Sequence, residues 1–455
     1  MKKNIIITAV AALTLSSCGI YTKYQPATHV PEQLFGTEVA ATDTLGNIGK
    51  LGWRELFTDP QLQALIEQGL QNNTDLQSAH WRVEEARAAL NAARLAYLPS
   101  FALSPQGTVS SFDGAKAAQS YTLPVTAAWE IDIFGRLTNA KRRTQALYAQ
   151  SQEYELAVKT QLIANMANTY YTLLMLDAQL DISQETEVKW KESVRVMKAL
   201  KEAGQVNEAG LAQTEATYYS ICTAVLDLKE QISRVENSLC LMLGETPQAI
   251  HRGSMEGQSL PQDISVGVPL QILANRPDVK SAELALAQAF YSTNEARSAF
   301  YPSITLSGSA GWTNNAGVIL NPGKLLLSAV GSLTQPLFNQ GQNVARLRIA
   351  KAQQEEAKLA FTQTLLNAGS EVNNALKQNQ TARDKAGFYT RQITSLQTAV
   401  ASTQLLMKHG SSTYLEVLTA QQTLLTAQLT EVSNRFQEIQ GVINLYQALG
   451  GGREG

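Results

Sequence analysis

Cysteine and histidine are both rare in this chain, with three and four occurrences among 455 residues. Cys222 and Cys240 fall in one predicted helix, which separates them by about 27 Å along the helix axis. A separation of that size excludes a disulfide between them. The histidines are scattered and show no metal-ligand spacing. We therefore predict two packed thiols, no metal centre and no bound cofactor.

The chain beyond its N-terminus also lacks an apolar run long enough to span a bilayer as a helix, so a membrane crossing there requires strands. The N-terminus carries two lysines, a short apolar run and then Leu15-Ser16-Ser17-Cys18. This order resembles a bacterial lipobox and predicts a signal peptide at 1–17, lipidation of Cys18 and a lipidated linker at 18–50. The alternative is an ordinary signal peptide that is cut nearby, with Cys18 incidental.

Neither sign of charge dominates, because 37 Lys and Arg face 39 Asp and Glu, for a net charge of -2. The chain therefore offers no basic field for nucleic acid. Phosphate-binding glycine loops and nucleophile elbows are missing as well. Glu130 and Asp132 share the polar side of a predicted strand, where a glycosidase pair would need an apolar pocket to raise one pKa. We predict that the protein is not an enzyme.

Proline is absent from 125–246 and 337–455, so each of these arms is free to form very long helices. Apolar residues recur along both arms at alternating spacings of four and three, which is typical of coiled coils. Each arm has one polar, glycine-containing break near its middle, which predicts an antiparallel helical hairpin. The first helix is predicted over Leu137 to Ala203, about 100 Å long.

The sequence repeats itself. Asp75-Leu76-Gln77-Ser78-Ala79 matches Asp278-Val279-Lys280-Ser281-Ala282, and Ala93-Arg94 matches Ala296-Arg297 at the same offset. An ordered series of such matches predicts two copies of one structural unit, at 51–250 and 251–455. Each copy then contributes a helix, two strands and a helical hairpin.

Four segments alternate apolar and small polar residues with period two, and they lie at 101–110, 121–133, 304–313 and 325–337. Their length suits tilted strands that cross a bilayer. A soluble sheet with one buried face gives the same alternation and remains an alternative. Four strands cannot close a transmembrane barrel, so a membrane role requires several copies. The small polar residues of the other face favour an open lumen, and hence three or more copies.

Short motifs in a fixed order resemble the TolC-type outer-membrane efflux proteins, in particular their lipid-anchored OprM/NodT-like branch. They are Leu15-Ser16-Ser17-Cys18, Trp53-Arg54-Glu55-Leu56-Phe57, Trp129-Glu130-Ile131-Asp132-Ile133-Phe134-Gly135-Arg136, Asn275-Arg276-Pro277-Asp278, Pro336-Leu337-Phe338-Asn339-Gln340-Gly341 and the terminal Ala448-Leu449-Gly450. The resemblance covers nearly the whole mature chain. It implies a mainly α-helical fold with a small β part.

The resemblance further implies a homotrimer with a 12-stranded β-barrel and an α-helical periplasmic tunnel. Such proteins are exit channels of tripartite pumps in the outer membrane of Gram-negative bacteria, and they work with a periplasmic adaptor and an inner-membrane transporter. The two hairpin turns would be the tips that meet the adaptor, with residues Gly204, Gln205, Val206, Asn207, Gly410, Ser411, Ser412 and Thr413. Three-fold symmetry makes Glu208, Tyr414 and Glu416 candidates for a periplasmic gate, although solvated helix-surface glutamates are an equal alternative.

Two other functions stay open at this point. The same duct could serve a type I protein-secretion system, or the chain could be a lipid-anchored periplasmic coiled-coil scaffold. The bilayer-length strands argue against the scaffold, and the lipobox favours small-molecule efflux by family analogy.

Overall fold

The computed structural model describes residues 21, 24–25, 48–258, 276–314 and 324–453. After a short 3-10 helix at Ile48–Lys50, the chain forms eight helices and five strands in the described residues. In chain order they are α1 (Trp53–Leu56), α2 (Pro60–Asn72), α3 (Thr74–Leu95), β1 (Ser100–Leu103), β2 (Gln106–Ser110), β3 (Ala118–Ile131), α4 (Arg136–Glu202), α5 (Glu208–Leu243), α6 (Pro277–Ser298), β4 (Ser303–Thr313), β5 (Lys324–Thr334), α7 (Gln342–Lys408) and α8 (Tyr414–Ala448).

The chain divides into two compact units, and each draws on both halves of the sequence. The first unit comprises Met1–His29, Trp81–Glu153 and Lys280–Gln363, and it contains all five strands of the described residues. The second unit comprises Val30–His80, Tyr154–Val279 and Thr364–Gly455, and it contains both hairpin turns. Helices α4 and α7 are 67 residues each. The mainly helical fold with long antiparallel hairpins is confirmed.

The five strands form one antiparallel sheet in the order β1-β3-β4-β5, with β2 also paired to β3. β1 and β2 keep a single register on β3, since Leu103 lies opposite Val125 and Gln106 lies opposite Thr122. The predicted strand 101–110 is therefore one strand with an interruption. Prolines cause it, because Pro105 and Pro124 lack the N–H group that a ladder needs.

Two predicted strand ends extend too far. β3 stops at Ile131 rather than at 133, because the Asp132 carboxylate caps α4 instead of continuing the ladder. Its Oδ1 accepts from the Leu137 N–H at 2.9 Å and its Oδ2 from the Thr138 N–H at 2.8 Å. β5 stops at Thr334, two residues before Pro336. Asp132 is thus a helix cap, which gives this carboxylate a structural role.

One face of the sheet is apolar and uncovered within the chain. Leu103, Val125, Ala310 and Leu327 lie opposite one another across the strands, and Leu103 and Leu327 are 68% and 69% exposed. Cross-strand neighbours share one face of a sheet. A soluble sheet would bury this face, so the exposure argues against the soluble alternative.

The helical hairpins are held by the predicted apolar seams. Along α5, Ile221, Val225, Ile232 and Leu239 are buried, and along α8 the seam residues from Leu425 to Tyr446 are buried or half-buried. Cys240 is buried and Cys222 is partly buried, and both are free thiols. Among the described helices, none carries an apolar stretch sufficient to cross a membrane.

Candidate functional site

Both hairpin tips have the same backbone geometry. Gly204 and Gly410 have φ of +71° and +72°, the left-handed conformation that glycine adopts without strain. The Gly204 N–H donates to the Lys201 carbonyl and the Gln205 N–H donates to the Leu200 carbonyl, both at 2.9 Å. Gly410 and Ser411 repeat these two bonds to Met407 and Leu406. This is the Schellman ending of a helix, and it reverses the chain within a few residues.

The first tip continues into α5 through an Asn207 cap. The Asn207 side chain accepts from the Gly210 N–H at 2.9 Å and so caps the first turn of α5. A Cβ at Gly210 would lie 3.2 Å from the Met197 side chain, so the glycine also makes room for that buried residue. The gate candidate Glu208 is exposed and forms an ion pair with Lys201 across the turn.

The second tip places Tyr414 and Glu416 in different surroundings. The Glu416 carboxylate is exposed and accepts from the Ser412 hydroxyl at 2.5 Å. Tyr414 is half-buried, and burial raises the pKa of its hydroxyl above the ordinary value. The Tyr414 hydroxyl lies near Ser193 of α4. Tyr414 therefore links the second hairpin to the first within one chain.

A buried aromatic cluster that sequence reasoning missed supports this link. Trp190 of α4 packs with Ile221 of α5 and with Leu418 and Leu425 of α8. The partly buried Tyr414 packs against this cluster. Trp190 is only 2% exposed. The tryptophan lies in a polar stretch of α4, and only the apolar spacing in α5 and α8 could have indicated where its partners lie.

A loop at residues 250–258, here named the strap, is joined to both helices of the first hairpin. The Arg252 guanidinium forms ion pairs at 2.5 Å with Asp177 of α4 and with Glu236 of α5. Its side chain is only 14% exposed. The hydrogen bond with Asp177 is the main cause of the raised pKa of Arg252, which stays charged throughout.

The strap also closes over a buried carboxylate. Asp59 caps α2 by accepting from the Gln61 N–H at 2.9 Å. Its other oxygen accepts from the Tyr170 hydroxyl at 2.6 Å and from Gln258 Nε2 at 2.8 Å. The strap Gly253 N–H donates to the Tyr170 oxygen at 3.1 Å. Asp59 thereby connects α2, α4 and the strap in one network, and the sequence motif around Trp53 gave no hint of it.

The second half of the chain has a buried arginine with ion pairs of its own. Arg276, which is 6% exposed, forms ion pairs with Asp278 at 2.8 Å and with Glu371 of α7 at 2.6 Å. It also donates to the Ala448 carbonyl at the end of α8 at 2.9 Å. Arg276 therefore holds the start of α6 against both helices of the second hairpin.

Tyrosines buried beside these helices predict a loss of stability in alkali. Tyr446 donates to the Leu51 carbonyl at 3.0 Å, and burial raises its pKa to about 12. A raised folded-state pKa means that the stabilisation is complete below about pH 10 and disappears as the pH rises through 12. We expect Tyr446→Phe to cost about 1 kcal/mol at pH 8. This deficit should shrink between pH 10 and 12 when unfolding is followed by circular dichroism, and a constant deficit would contradict the assignment.

The predicted lipidation site Cys18 lies outside the described residues. Tyr21, three positions later, donates its hydroxyl hydrogen to the Phe134 carbonyl between β3 and α4. Burial raises the pKa of Tyr21 to about 12. Among the described residues, no group of three His, Cys, Asp or Glu side chains is placed to hold a metal ion.

This chain is similar to several known proteins over almost the whole length of both sequences. The cation efflux system protein CusC of Escherichia coli K12 is 31% identical over 452 residues, which cover 97% of this chain and 98% of that protein. The probable outer membrane lipoprotein SilC of Salmonella typhimurium is 29% identical, with 94% of each chain covered. The toluene efflux pump outer membrane protein TtgC of Pseudomonas putida is 26% identical and covers 99% of this chain and 96% of its own.

The fold is also similar to solved structures of outer-membrane channels. A crystal structure of CusC superposes with a TM-score of 0.84 at 29% identity and covers 95% of this chain and all of its own. The open-state MtrE outer membrane channel of Neisseria gonorrhoeae has a TM-score of 0.85 at 26% identity, with 95% of this chain and 98% of its own covered. The outer membrane efflux protein family itself matches residues 65–245 and 268–451. The chain belongs to the outer membrane efflux protein family and is an outer-membrane efflux channel protein.

Proposed function

We propose that three copies of this chain form the outer-membrane exit duct of a tripartite efflux pump. The open sheet is the observation that carries the proposal. In the order β1-β3-β4-β5, the two outermost strands, β1 and β5, each have one edge that pairs with no other strand in the described part of the chain. Open strand edges are not tolerated in lipid, so strands from other copies must complete the sheet. Three copies with four strand positions each give a 12-stranded barrel with a water-filled lumen.

The duct conducts small solutes passively, without catalysis of its own. A periplasmic adaptor binds the two tips at Gly204–Asn207 and Gly410–Thr413, and an inner-membrane transporter supplies the energy. Relatives are named for cations, toluene and antibiotics, so small toxic compounds or ions are the proposed cargo. The two sequence copies at 51–250 and 251–455 each supply one tip, and a lipid on Cys18 anchors the chain beside the membrane.

The gate lies at the second tip in this proposal. Tyr414 connects the hairpins through Ser193 and the Trp190 cluster, so it restrains the tip of α8 against α4. Glu416 and Glu208 carry exposed carboxylates at the tips. Three-fold symmetry would bring three copies of each near the axis, where negative charge favours cations. The ion pair with Lys201 compensates the negative charge of Glu208, so Glu416 is the stronger candidate for a cation-selective gate residue.

Single-channel conductance of the detergent-purified protein in a planar bilayer, beside its mass under native conditions, tests the proposal. We expect a trimer with small, cation-selective currents. Truncation of the Tyr414 side chain removes its packing against the Trp190 cluster, which holds α8 against α4 and α5. Loss of about 1 kcal/mol of this packing would shift the ratio of closed to open states about fivefold, so Tyr414→Ala should increase the open time.

Tyr219→Ala is the matched control, because Tyr219 is 61% exposed on α5 and lies outside the Trp190 cluster. Its currents should equal those of the wild type. Glu416→Gln should lower the preference for cations and keep the trimer intact. A monomer that passes no current would reject the duct and support the lipid-anchored scaffold.

A further inference from the structure

Four helices connect to the sheet at the same end of its strands, which is here named the collar edge. α3 leads into β1, β3 leads into α4, α6 leads into β4, and β5 leads into α7. The registers pair Ser100 with Ala128, Ile131 with Ile304, and Ser303 with Thr334, so all four connections lie at the same edge. These helix ends and the sheet belong to one compact unit.

The helix ends at this edge are strongly basic. The ten residues of each helix nearest the sheet are 86–95, 136–145, 289–298 and 342–351, and we name them the basic collar. Together they hold ten Lys and Arg but only one Asp or Glu, although acidic residues slightly outnumber basic ones in the whole chain. The collar therefore concentrates positive charge at one level of the molecule.

The helix dipoles account for only two of these ten charges. The first turns of α4 and α7, which begin at the sheet, contain no acidic residue, whereas the first turns of α5 and α8 contain Glu208 and Glu416. Arg94 and Arg297 lie in the last turns of α3 and α6, where the helix dipole favours cations. The seven basic residues of 136–145 and 342–351 lie at the N-terminal ends of α4 and α7, where the dipole offers no such support.

Much of the charge is also uncompensated inside the chain. Four of the ten basic residues form ion pairs: Arg143 and Arg346 with Glu295, the acidic residue of the collar, Arg136 with Glu130, and Arg87 with Glu84. Arg142, Arg348 and Lys351 are exposed and form no ion pair with any residue that the structure describes. Such side chains are available to a partner of opposite charge.

The neighbouring surface identifies the partner as lipid. The exposed apolar face of the sheet reaches the collar edge at Trp129 and Leu306, which lie opposite each other and are 40% and 41% exposed. An apolar face that is bordered by aromatic and then basic residues matches the order of acyl chains, interface and phosphates in a bilayer.

We propose that the basic collar binds the headgroup phosphates of anionic phospholipids where the sheet enters the bilayer. The inference rests on the proposed function in one respect, since it takes the sheet as the membrane part. Basic residues near an anionic surface attract it over a Debye length, so the contact fixes the depth of the channel and weakens with salt.

The test measures lipid retention by the full-length protein with native mass spectrometry. Detergent-purified protein is titrated with dioleoylphosphatidylglycerol or with zwitterionic dioleoylphosphatidylcholine. The triple variant R142Q/R348Q/K351Q removes three unpaired charges from the collar. The control K377Q/K385Q/R391Q removes three exposed charges from α7 outside the collar. We expect the wild type and the control to prefer phosphatidylglycerol, and the triple variant to bind it at least about tenfold less tightly.

Three results would overturn the proposal: equal retention of both lipids by the wild type, unchanged phosphatidylglycerol retention in the triple variant, or displacement of the lipid by excess inorganic phosphate alone. A change in ion selectivity with unchanged lipid retention would also overturn it and place the collar in the lumen. Trimer mass and conductance of the same samples separate this outcome from failure of the proposed function. A conducting trimer without lipid preference rejects only the collar.

Discussion

Replacement of Arg252 by methionine is expected to lower the free energy of unfolding of the strap and its two helices by about 2–3 kcal/mol. The mutation leaves Asp177 and Glu236 without their cation, and removing one partner of a buried ion pair costs about 3–5 kcal/mol. Asp177 keeps a 33% exposed side chain, so water offsets part of that cost. Methionine retains the length and apolar contacts of the stem.

The midpoint of thermal unfolding of the detergent-purified protein, followed by circular dichroism, measures the effect. Arg234→Met is the control, because Arg234 lies on the same hairpin and its pair with Glu230 has side chains 75% and 61% exposed. An exposed pair of this kind contributes at most about 1 kcal/mol. Equal shifts for the two variants would mean that the strap adds no stability to the hairpin.

The long helices could be predicted from sequence because the signals that define them are local and repeated. The first helix was expected from Leu137 to Ala203 and is observed at Arg136–Glu202. Proline marks where a helix cannot run, and the heptad seam marks which face is buried. The tips at Gly204 and Gly410 follow the same logic, because a glycine after a long helix signals a Schellman ending.

The contacts that join separate segments could not be predicted in this way. Arg252 is one arginine in an irregular loop, and its partners Asp177 and Glu236 lie 75 and 16 positions away. The family pattern makes Tyr414 a candidate gate residue, but its contact with the Trp190 cluster depends on how the two hairpins pack. Pairing of this kind arises from tertiary packing and leaves no periodic trace in a single sequence.

The strand ends show the same division between local and distant causes. The alternation of apolar and polar residues marked the four strand positions, and the prolines at 105 and 124 explain the interruption between β1 and β2. Asp132 continues the alternation, which predicts that it belongs to the strand. Its carboxylate instead accepts from Leu137 and Thr138, which a period-two pattern cannot reveal.

A second large effect is expected for Asp59→Ala, which should lower the free energy of unfolding by about 3 kcal/mol. The mutation removes the α2 cap, which contributes about 1 kcal/mol. It also leaves the buried Tyr170 hydroxyl and the Gln258 amide without an acceptor, at about 1–3 kcal/mol. Asp59→Asn keeps one cap oxygen but turns an amide N–H₂ toward two donors, so its loss should lie between those of the wild type and Asp59→Ala.

Thermal unfolding of the same preparation tests this expectation, with Asp75→Ala as the control for an exposed carboxylate in the first turn of α3. Asp75→Ala should change the free energy of unfolding by less than about 1 kcal/mol. Tyr170→Phe removes one of the three bonds to Asp59, and it should cost less than Asp59→Ala because the cap remains. If the losses of Tyr170→Phe and Asp59→Ala simply added in the double variant, the two groups would act independently. A double variant no less stable than Asp59→Ala would mean that the carboxylate is the part of the network through which α2, α4 and the strap stabilise one another.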